Sequence, residues 1–208
     1  MENRPNRLLM QFHVTGRCNL RCKHCYRTEG DVEPLTTFDV KNIILQYKDL
    51  LEIYNKRHQI RCKGQINITG GEPFVRNDIC EIIEYLGSFR DYFGYAVLSN
   101  GSFINDDIIK LLKSTDARFV QLSIDGNRET HDYLRAIGDY DRVFNTAEYL
   151  EISGIKTYIS FTANRDNHIF LPDIAKECRK RGISKLWTDR IIPIGNGKEL
   201  EEMSITKE

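Results

Sequence analysis

Two spacings of apolar residues alternate along the chain, and together they predict an α/β fold. Short runs rich in β-branched and aromatic residues are typical of buried strands, whereas apolar residues three and four positions apart are typical of amphipathic helices. The predicted strands are residues 8–14, 65–69, 95–99, 119–124, 157–162 and 186–191. The predicted helices between them are residues 37–54, 77–89, 105–113, 142–153 and 171–181.

The strict alternation of strand and helix predicts parallel strands joined by right-handed crossovers, which can curl the sheet toward a barrel. Turn and cap residues agree with these bounds. We expect Thr37 to open the first helix, Asn77 or Asp78 to open the second, and Gly154 and Gly182 to end the last two. Nothing in the sequence indicates an internal repeat or a second domain, so one domain over residues 1–208 is expected.

One register of the predicted strands is polar, although strands covered by helices on both faces are normally apolar throughout. The polar positions are Gln65, Asn67 and Thr69, then Gln121, Ser123 and Asp125, then Ser160 and Thr162, then Thr188 and Arg190. This pattern does not suit a barrel packed with branched side chains, and it predicts a hydrated cavity for a polar ligand. An antiparallel sheet with one wet face is the alternative, which the intervening helices disfavour.

Composition and charge narrow the class of protein. The 30 basic residues balance 30 acidic residues, so no long-range field recruits nucleic acid or an anionic membrane surface. No apolar run approaches the roughly 20 residues that span a bilayer, and the polar start lacks a secretion signal. We therefore expect a cytoplasmic protein with no nucleic-acid or membrane partner. Thiols stay reduced in the cytoplasm, so the six cysteines indicate a metal site and free thiols rather than disulfides.

Cys18, Cys22 and Cys25 are clustered directly after the first predicted strand, and their spacing predicts one metal centre. Three thiolates supply all but one of the ligands of a cubane iron–sulfur cluster or a tetrahedral zinc, which leaves one position open. His24 is an alternative fourth ligand, although its adjacency to Cys25 makes the backbone geometry awkward. The other cysteines lack any ligand spacing and are expected to be spectator thiols: Cys62, Cys80 and Cys178.

Candidate binding residues follow three further strands. Gly70-Gly71-Glu72-Pro73 follows the second strand, Ser99-Asn100-Gly101 the third, and Ser123-Ile124-Asp125-Gly126 the fourth. Ligands of parallel α/β folds bind at the carboxyl ends of the strands, and paired glycines let the backbone approach a ligand closely. Each turn alone is commonplace, but their occurrence at successive strand ends predicts one site. His13, on the polar register of the first strand, is expected to face the same site.

These motifs resemble the radical S-adenosylmethionine enzymes. The matching segments are C-x3-C-x2-C over 18–25, the glycine turn, Ser123-Ile124-Asp125-Gly126, and His131-Asp132-Tyr133-Leu134-Arg135. The segment 190–195 resembles the branch whose members usually carry a SPASM or twitch extension and often modify peptides. The resemblance covers about residues 8–197 and implies a radical S-adenosylmethionine core domain, folded as a partial (β/α)6 TIM-like barrel of parallel strands.

The resemblance also implies roles for individual residues. Cys18, Cys22 and Cys25 would bind a [4Fe-4S] cluster, whose fourth iron would be chelated by S-adenosylmethionine. The implied cofactor-binding residues are Glu72 with the backbone of Gly70 and Gly71 for the ammonium, Arg135 for the carboxylate, Ser123 and Asp125 for the ribose, Asn100 beside them, and the backbone around Ile192 for the adenine. Tyr26 would cover the adenine or the cluster.

The implied activity is reductive cleavage of S-adenosylmethionine to a 5'-deoxyadenosyl radical, which abstracts hydrogen from a peptide or protein substrate during peptide maturation. The electron donor would be a protein such as flavodoxin or ferredoxin. Two alternatives stay open: a glycyl-radical-enzyme activase or small-molecule radical enzyme, and a zinc-stabilised binding module. Members of the branch usually continue into a cysteine-rich extension, so we expect a fragment without its final helix and extension, a reduced single-cluster member being the alternative.

Overall fold

Six strands form one parallel sheet in the computed structural model, which describes residues 7–27, 33 and 35–205. The strands are β1 (Arg7–Thr15), β2 (Lys63–Gly70), β3 (Phe93–Leu98), β4 (Val120–Ser123), β5 (Thr157–Ala163) and β6 (Lys185–Arg190). Their order in the sheet is their order in the chain, and each neighbouring pair is parallel. The sheet has two edges, β1 and β6, so it curls into an open half-barrel and not into a closed barrel. The predicted fold class and all six predicted strands are confirmed.

Six α-helices connect these strands within the described part of the chain. They are α1 (Thr37–His58), α2 (Ile79–Gly87), α3 (Asp106–Ser114), α4 (Arg128–Leu134), α5 (Asp139–Ile152) and α6 (Leu171–Lys180), with 3-10 turns at Pro73–Val75, His168–Phe170 and Gly195–Met203. The five predicted helices are present. Helix α4 was not predicted, because its seven residues are too few to show a helical period.

The helix ends confirm most of the predicted caps and correct one of them. Thr36, not Thr37, opens α1: its side chain accepts a hydrogen bond from the Asp39 amide, and the Asp39 carboxylate accepts one from the Thr36 amide. This reciprocal capping box satisfies two amides that the helix leaves without partners. Asp78 is the N-cap residue of α2, one of the two residues predicted to open this helix. Gly154 and Gly182 follow α5 and α6 with φ of 82° and 69°, a conformation that glycine adopts without strain.

The core lies between the helices and the convex face of the sheet. Alternate strand residues point into it and are completely buried, as in Ile66, Ile68, Leu122 and Ile159. Burying one such side chain contributes roughly 1.5–3 kcal/mol to folding. The polar residues between them therefore point to the concave face, as predicted for β2, β4 and β5.

The polar register of β6 was predicted one residue out of phase. Ser160 pairs with Trp187 and Thr162 pairs with Asp189, so Trp187 and Asp189 share the concave face with the β5 residues. The Thr188 hydroxyl instead donates to the Phe161 carbonyl at 3.0 Å. Arg190, at the end of the strand, does line the concave face as predicted.

Candidate active site

A cavity of about 820 Å³ occupies the concave face of the half-barrel. This volume lies within the roughly 300–1,000 Å³ that is usual for small-molecule sites. Five strands contribute polar side chains to its wall: His13 of β1, Asn67 of β2, Gln121 of β4, Ser160 and Thr162 of β5, and Asp189 of β6. The predicted cavity with polar walls is therefore present.

Polar side chains fill the concave face near the amino ends of the strands. The Gln65 amide group donates to the Asn67 side chain at 3.0 Å and accepts from the Arg118 guanidinium at 3.0 Å. Gly94 makes room for Arg118, since a Cβ on Gly94 would lie 2.1 Å from the Arg118 Cδ. The open part of the cavity is thereby displaced toward the loops that follow the strands.

The cysteine loop after β1 forms one wall of this cavity. Cys18, Cys22 and Cys25 are half-buried free thiols, and all three line the cavity. Backbone hydrogen bonds fix the loop: the Lys23 amide donates to the Leu134 carbonyl at 2.9 Å, and the Cys25 amide donates to the Cys22 carbonyl at 3.2 Å. The first contact ties the loop to the end of α4, and the second is a turn within the loop.

The three thiols form a soft donor set that suits an iron–sulfur cluster or zinc. Burial raises the pKa of Cys18 and of Cys22, so both keep their protons at neutral pH until a metal displaces them. The Cys18 sulfur already accepts a hydrogen bond from the Leu20 amide at 3.4 Å. Among the described residues, no group of three or more His, Cys, Asp or Glu side chains is placed so that it could hold a metal ion, so ligation by these cysteines stays a prediction.

His24, the alternative fourth ligand, lines the cavity with its Nε2 turned toward the Asp125–Arg135 pair. It is buried, and its Nε2 lies 3.3 Å from the Asp125 carboxylate and 3.4 Å from an Arg135 nitrogen. Burial lowers the pKa of His24 to about 4, so the ring is neutral at pH 7. The Nε2 atom therefore already has partners within the protein, in place of a metal.

The Gly-Gly-Glu turn after β2 lies beside the cysteine loop. Gly70 has a φ of 144°, and a Cβ there would lie 2.2 Å from the Thr15 carbonyl oxygen, so only glycine fits. The Gly71 amide donates to the same carbonyl at 2.9 Å. Gly70 and Gly71 both line the cavity, as predicted, and this close packing brings their backbone next to the loop that carries Cys18.

Glu72 is fully buried and does not line the cavity. Its carboxylate accepts hydrogen bonds from the Phe74 amide at 3.2 Å, the Ser99 hydroxyl at 2.9 Å and the Asn100 amide at 2.7 Å. The side chain therefore joins the loops after β2 and β3. Its predicted contact with the ammonium group stays a prediction.

Because burial outweighs its hydrogen bonds, the pKa of Glu72 is raised to about 7. The folded chain then holds this proton more tightly than the unfolded chain, so the stability that Glu72 contributes at low pH is lost as pH rises from about 4.5 to about 7. We expect the free energy of unfolding of Glu72→Gln, measured in urea at pH 5, to be about 1–3 kcal/mol below that of wild type, since an amide nitrogen faces a donor. The stability difference between wild type and variant should shrink toward pH 8, and an equal difference at both pH values contradicts this assignment.

Asp125 and Arg135 form a buried ion pair behind the cavity wall. The Arg135 Nε donates to Asp125 Oδ2 at 2.5 Å, and the Thr162 amide donates to Oδ1 at 2.8 Å. Burial alone would raise the pKa of Asp125, but Arg135 and His24 above all bring it down to about 2. Asp125 is completely buried, whereas Arg135 lines the cavity.

The remaining predicted binding residues line the same cavity. They are Asn100, Ser123 and Ile192. The Asn100 side chain donates to Asn19 in the cysteine loop at 2.8 Å, which connects the loops after β1 and β3. The structure thus gathers every predicted site residue around one cavity, with only Glu72 and Asp125 behind its wall. The predicted contacts of all these residues with S-adenosylmethionine stay predictions.

Sequence reasoning missed the residues that hold this wall together. His131 was quoted only as part of a motif, yet its Nδ1 accepts from the Asp125 amide at 3.1 Å and its Nε2 donates to the Asp139 carboxylate at 3.0 Å. The Asn167 side chain donates to the carbonyls of Asp125 and Thr162. Nothing in the sequence signals these contacts, which join residues far apart in the chain. The sequence analysis also missed Trp187. Aligning β6 with the polar positions of β5 could have revealed it, because Trp187 pairs with Ser160.

The comparison with family models identifies the class of protein. The model of the Radical SAM superfamily matches residues 12–178, so the chain belongs to this superfamily. It is therefore an enzyme domain, and the cofactors of its family are a [4Fe-4S] cluster and S-adenosylmethionine. The three thiols that line the cavity have the donor chemistry that such a cluster requires. The predicted family is confirmed, and the zinc-stabilised binding module is not supported.

The names of similar proteins point to different reactions. An AdoMet-dependent heme synthase of Oleidesulfovibrio alaskensis is 30% identical over 96% of this chain and 50% of its own length. The mycofactocin maturase MftC of Mycolicibacterium smegmatis is 29% identical over 93% of this chain and 47% of its own length. The crystal structure of Streptococcus suis SuiB bound to precursor peptide SuiA has a TM-score of 0.73 at 18% identity, over 91% of this chain and 40% of that one. The chain thus spans about half the length of the curated relatives it matches.

Proposed function

We propose that this chain is the core of a radical S-adenosylmethionine enzyme that removes hydrogen from a peptide or protein substrate. The observation that carries the proposal is the shared cavity: three thiols of one loop face the same space as the Gly70-Gly71 backbone, Ser123 and Arg135. When bound, the reduced cluster and S-adenosylmethionine supply a 5'-deoxyadenosyl radical that abstracts hydrogen.

The residues of this chain would then bind and orient the cofactors. Cys18, Cys22 and Cys25 would hold three irons and leave the fourth for S-adenosylmethionine. The Gly70-Gly71 backbone lies close to the loop and would receive the ammonium group. Ser123 and Asn100 line the wall beside it and offer hydrogen bonds to hydroxyl groups.

Buried contacts keep these groups in place. The ion pair between Asp125 and Arg135 fixes the guanidinium at the wall, and Glu72 fixes the loop that carries Asn100. Such preorganisation matters because reacting groups must be held within tenths of an ångström of a productive geometry. We further propose that the protein works in the reducing cytoplasm with an electron donor such as flavodoxin or ferredoxin. No helix in the described ranges is long and apolar enough to cross a membrane.

Two kinds of relative bear on the substrate. Similarity to the maturase MftC and the shared fold with SuiB, which was crystallised with a precursor peptide, favour a peptide. Similarity to heme synthases favours a small-molecule substrate as the second candidate. The cavity entrance and any further segment of the protein would select between them.

The substrate class can be tested by following deuterium. We expect the anaerobically reconstituted, reduced protein to form 5'-deoxyadenosine from S-adenosylmethionine. A pool of synthetic peptides made with deuterated amino acids should then transfer deuterium into this product. Transfer from deuterated iron-coproporphyrin instead would establish the small-molecule alternative, and absence of cleavage under strong reduction would refute the proposed enzyme.

A further inference from the structure

Arg27 carries buried nitrogen atoms that lack partners at the wall of the cavity. The residue lies two positions after Cys25 and lines the cavity. Its Nε and Nη1 are buried, and neither forms a hydrogen bond with a described residue. Leaving such a donor without an acceptor costs about 1–3 kcal/mol, and more when the group is charged. Because the side chain also lines the cavity, a small turn of the guanidinium would bring these nitrogens to an anionic acceptor that enters there.

The location of Arg27 indicates which anion this is. A Cβ on Gly71 would lie 2.5 Å from the Arg27 Nη1, so the guanidinium is packed against the glycine turn. The backbone of that turn is the proposed partner of the methionine ammonium. In an amino acid the carboxylate is attached to the same carbon as the ammonium. If the ammonium binds the glycine turn, the carboxylate therefore lies within reach of a guanidinium that is packed against Gly71.

The charges at the wall agree with this location. Arg135 also faces the cavity, but its Nε already donates to the buried Asp125 carboxylate, which balances its charge. Arg27 has no ion pair among the described residues.

We infer that Arg27 binds the carboxylate of S-adenosylmethionine as a second guanidinium beside Arg135. A planar guanidinium with free N–H groups is well suited to a carboxylate, and a charged hydrogen bond is about twice as strong as a neutral one. The inference rests on the proposed function, and it adds to the predicted site a residue that no sequence motif indicated.

Binding of two ligands tests this role. The dissociation constants of S-adenosylmethionine and of decarboxylated S-adenosylmethionine are measured on cluster-loaded wild type, Arg27→Gln, Arg27→Lys and Arg135→Gln. We expect Arg27→Gln to weaken S-adenosylmethionine binding roughly 10- to 100-fold and to leave binding of the decarboxylated ligand within about twofold. Arg27→Lys, which keeps the charge, should fall between wild type and Arg27→Gln. Arg179→Gln, an exposed guanidinium on α6, is the matched control and should change neither constant.

The same experiment can overturn the inference. Equal weakening of both ligands, or loss of the preference in Arg135→Gln alone, would show that Arg27 does not contact the carboxylate. An altered cluster signal in electron paramagnetic resonance before ligand addition would place Arg27 on the cluster instead. If Arg27→Gln does not retain iron, Arg27→Lys decides: it should lose affinity only for the ligand with the carboxylate. If wild type binds no iron and no S-adenosylmethionine, the proposed function itself fails.

Discussion

Cys22→Ser is expected to lose its iron–sulfur cluster and, with it, all cleavage of S-adenosylmethionine. A serine hydroxyl remains protonated and binds iron poorly, so the loop would retain two thiolates where the site needs three. Cys22 lines the cavity between Cys18 and Cys25, and its carbonyl accepts hydrogen bonds from Cys25 and Asn196, so the backbone itself has no reason to move. Iron, labile sulfide and 5'-deoxyadenosine after anaerobic reconstitution are the measurements.

Cys80→Ser is the matched control for this variant. Cys80 lies on α2 and is exposed, away from the cavity wall. It should bind iron and sulfide as wild type does. The cluster assignment is wrong if Cys22→Ser retains a full complement of iron and sulfide, or if Cys80→Ser loses them equally.

Asp125→Asn is expected to destabilise the fold by about 3–5 kcal/mol, because it leaves Arg135 buried without its counter-ion. The carboxylate also accepts from the Thr162 amide, and its own backbone amide and carbonyl bind His131 and Asn167. One substitution therefore disturbs the contact between the loops after β4 and β5. Urea unfolding of wild type and variant at pH 7 measures the loss.

The same ion pair gives wild type a characteristic acid response. The pKa of Asp125 is held at about 2, below its unfolded value, so its contribution to stability is present at neutral pH and lost as pH falls from about 4 toward 2. Asp125→Asn should lack this loss. Asp173→Asn, which removes an exposed carboxylate on α6, should unfold like wild type at pH 7. A loss below about 1 kcal/mol for Asp125→Asn would show that the buried pair contributes no more than a surface pair does.

The strands could be predicted well because each buried strand is a short run rich in β-branched and aromatic residues. It did not predict the phase of β6, because this edge strand is exposed along most of its length and its pattern does not distinguish two faces. Helix α4 was not predicted for a related reason, because its seven mostly polar residues show no helical spacing of apolar residues. Thr36 and Thr37 are both good cap residues, and only the geometry of Asp39 selects Thr36.

The site was predictable where residues adjacent in sequence act together, as in the cysteine loop and the glycine turn. It was not predictable where a contact joins distant segments. His24, Asp125 and Arg135 form one buried group, but their positions in the chain give no reason to connect them. Glu72 illustrates the same limit, because nothing in the sequence indicates that its carboxylate accepts hydrogen bonds from Ser99 and Asn100 of the next loop.

The direct test of the account is electron paramagnetic resonance of the reduced, reconstituted protein before and after S-adenosylmethionine is added. Three cysteine ligands leave one iron of a [4Fe-4S] cluster open, so the account predicts a cluster signal that changes when the ligand binds that iron. A reduced cluster whose signal is the same with and without saturating S-adenosylmethionine would contradict it, as would a protein that takes up zinc but no iron or sulfide.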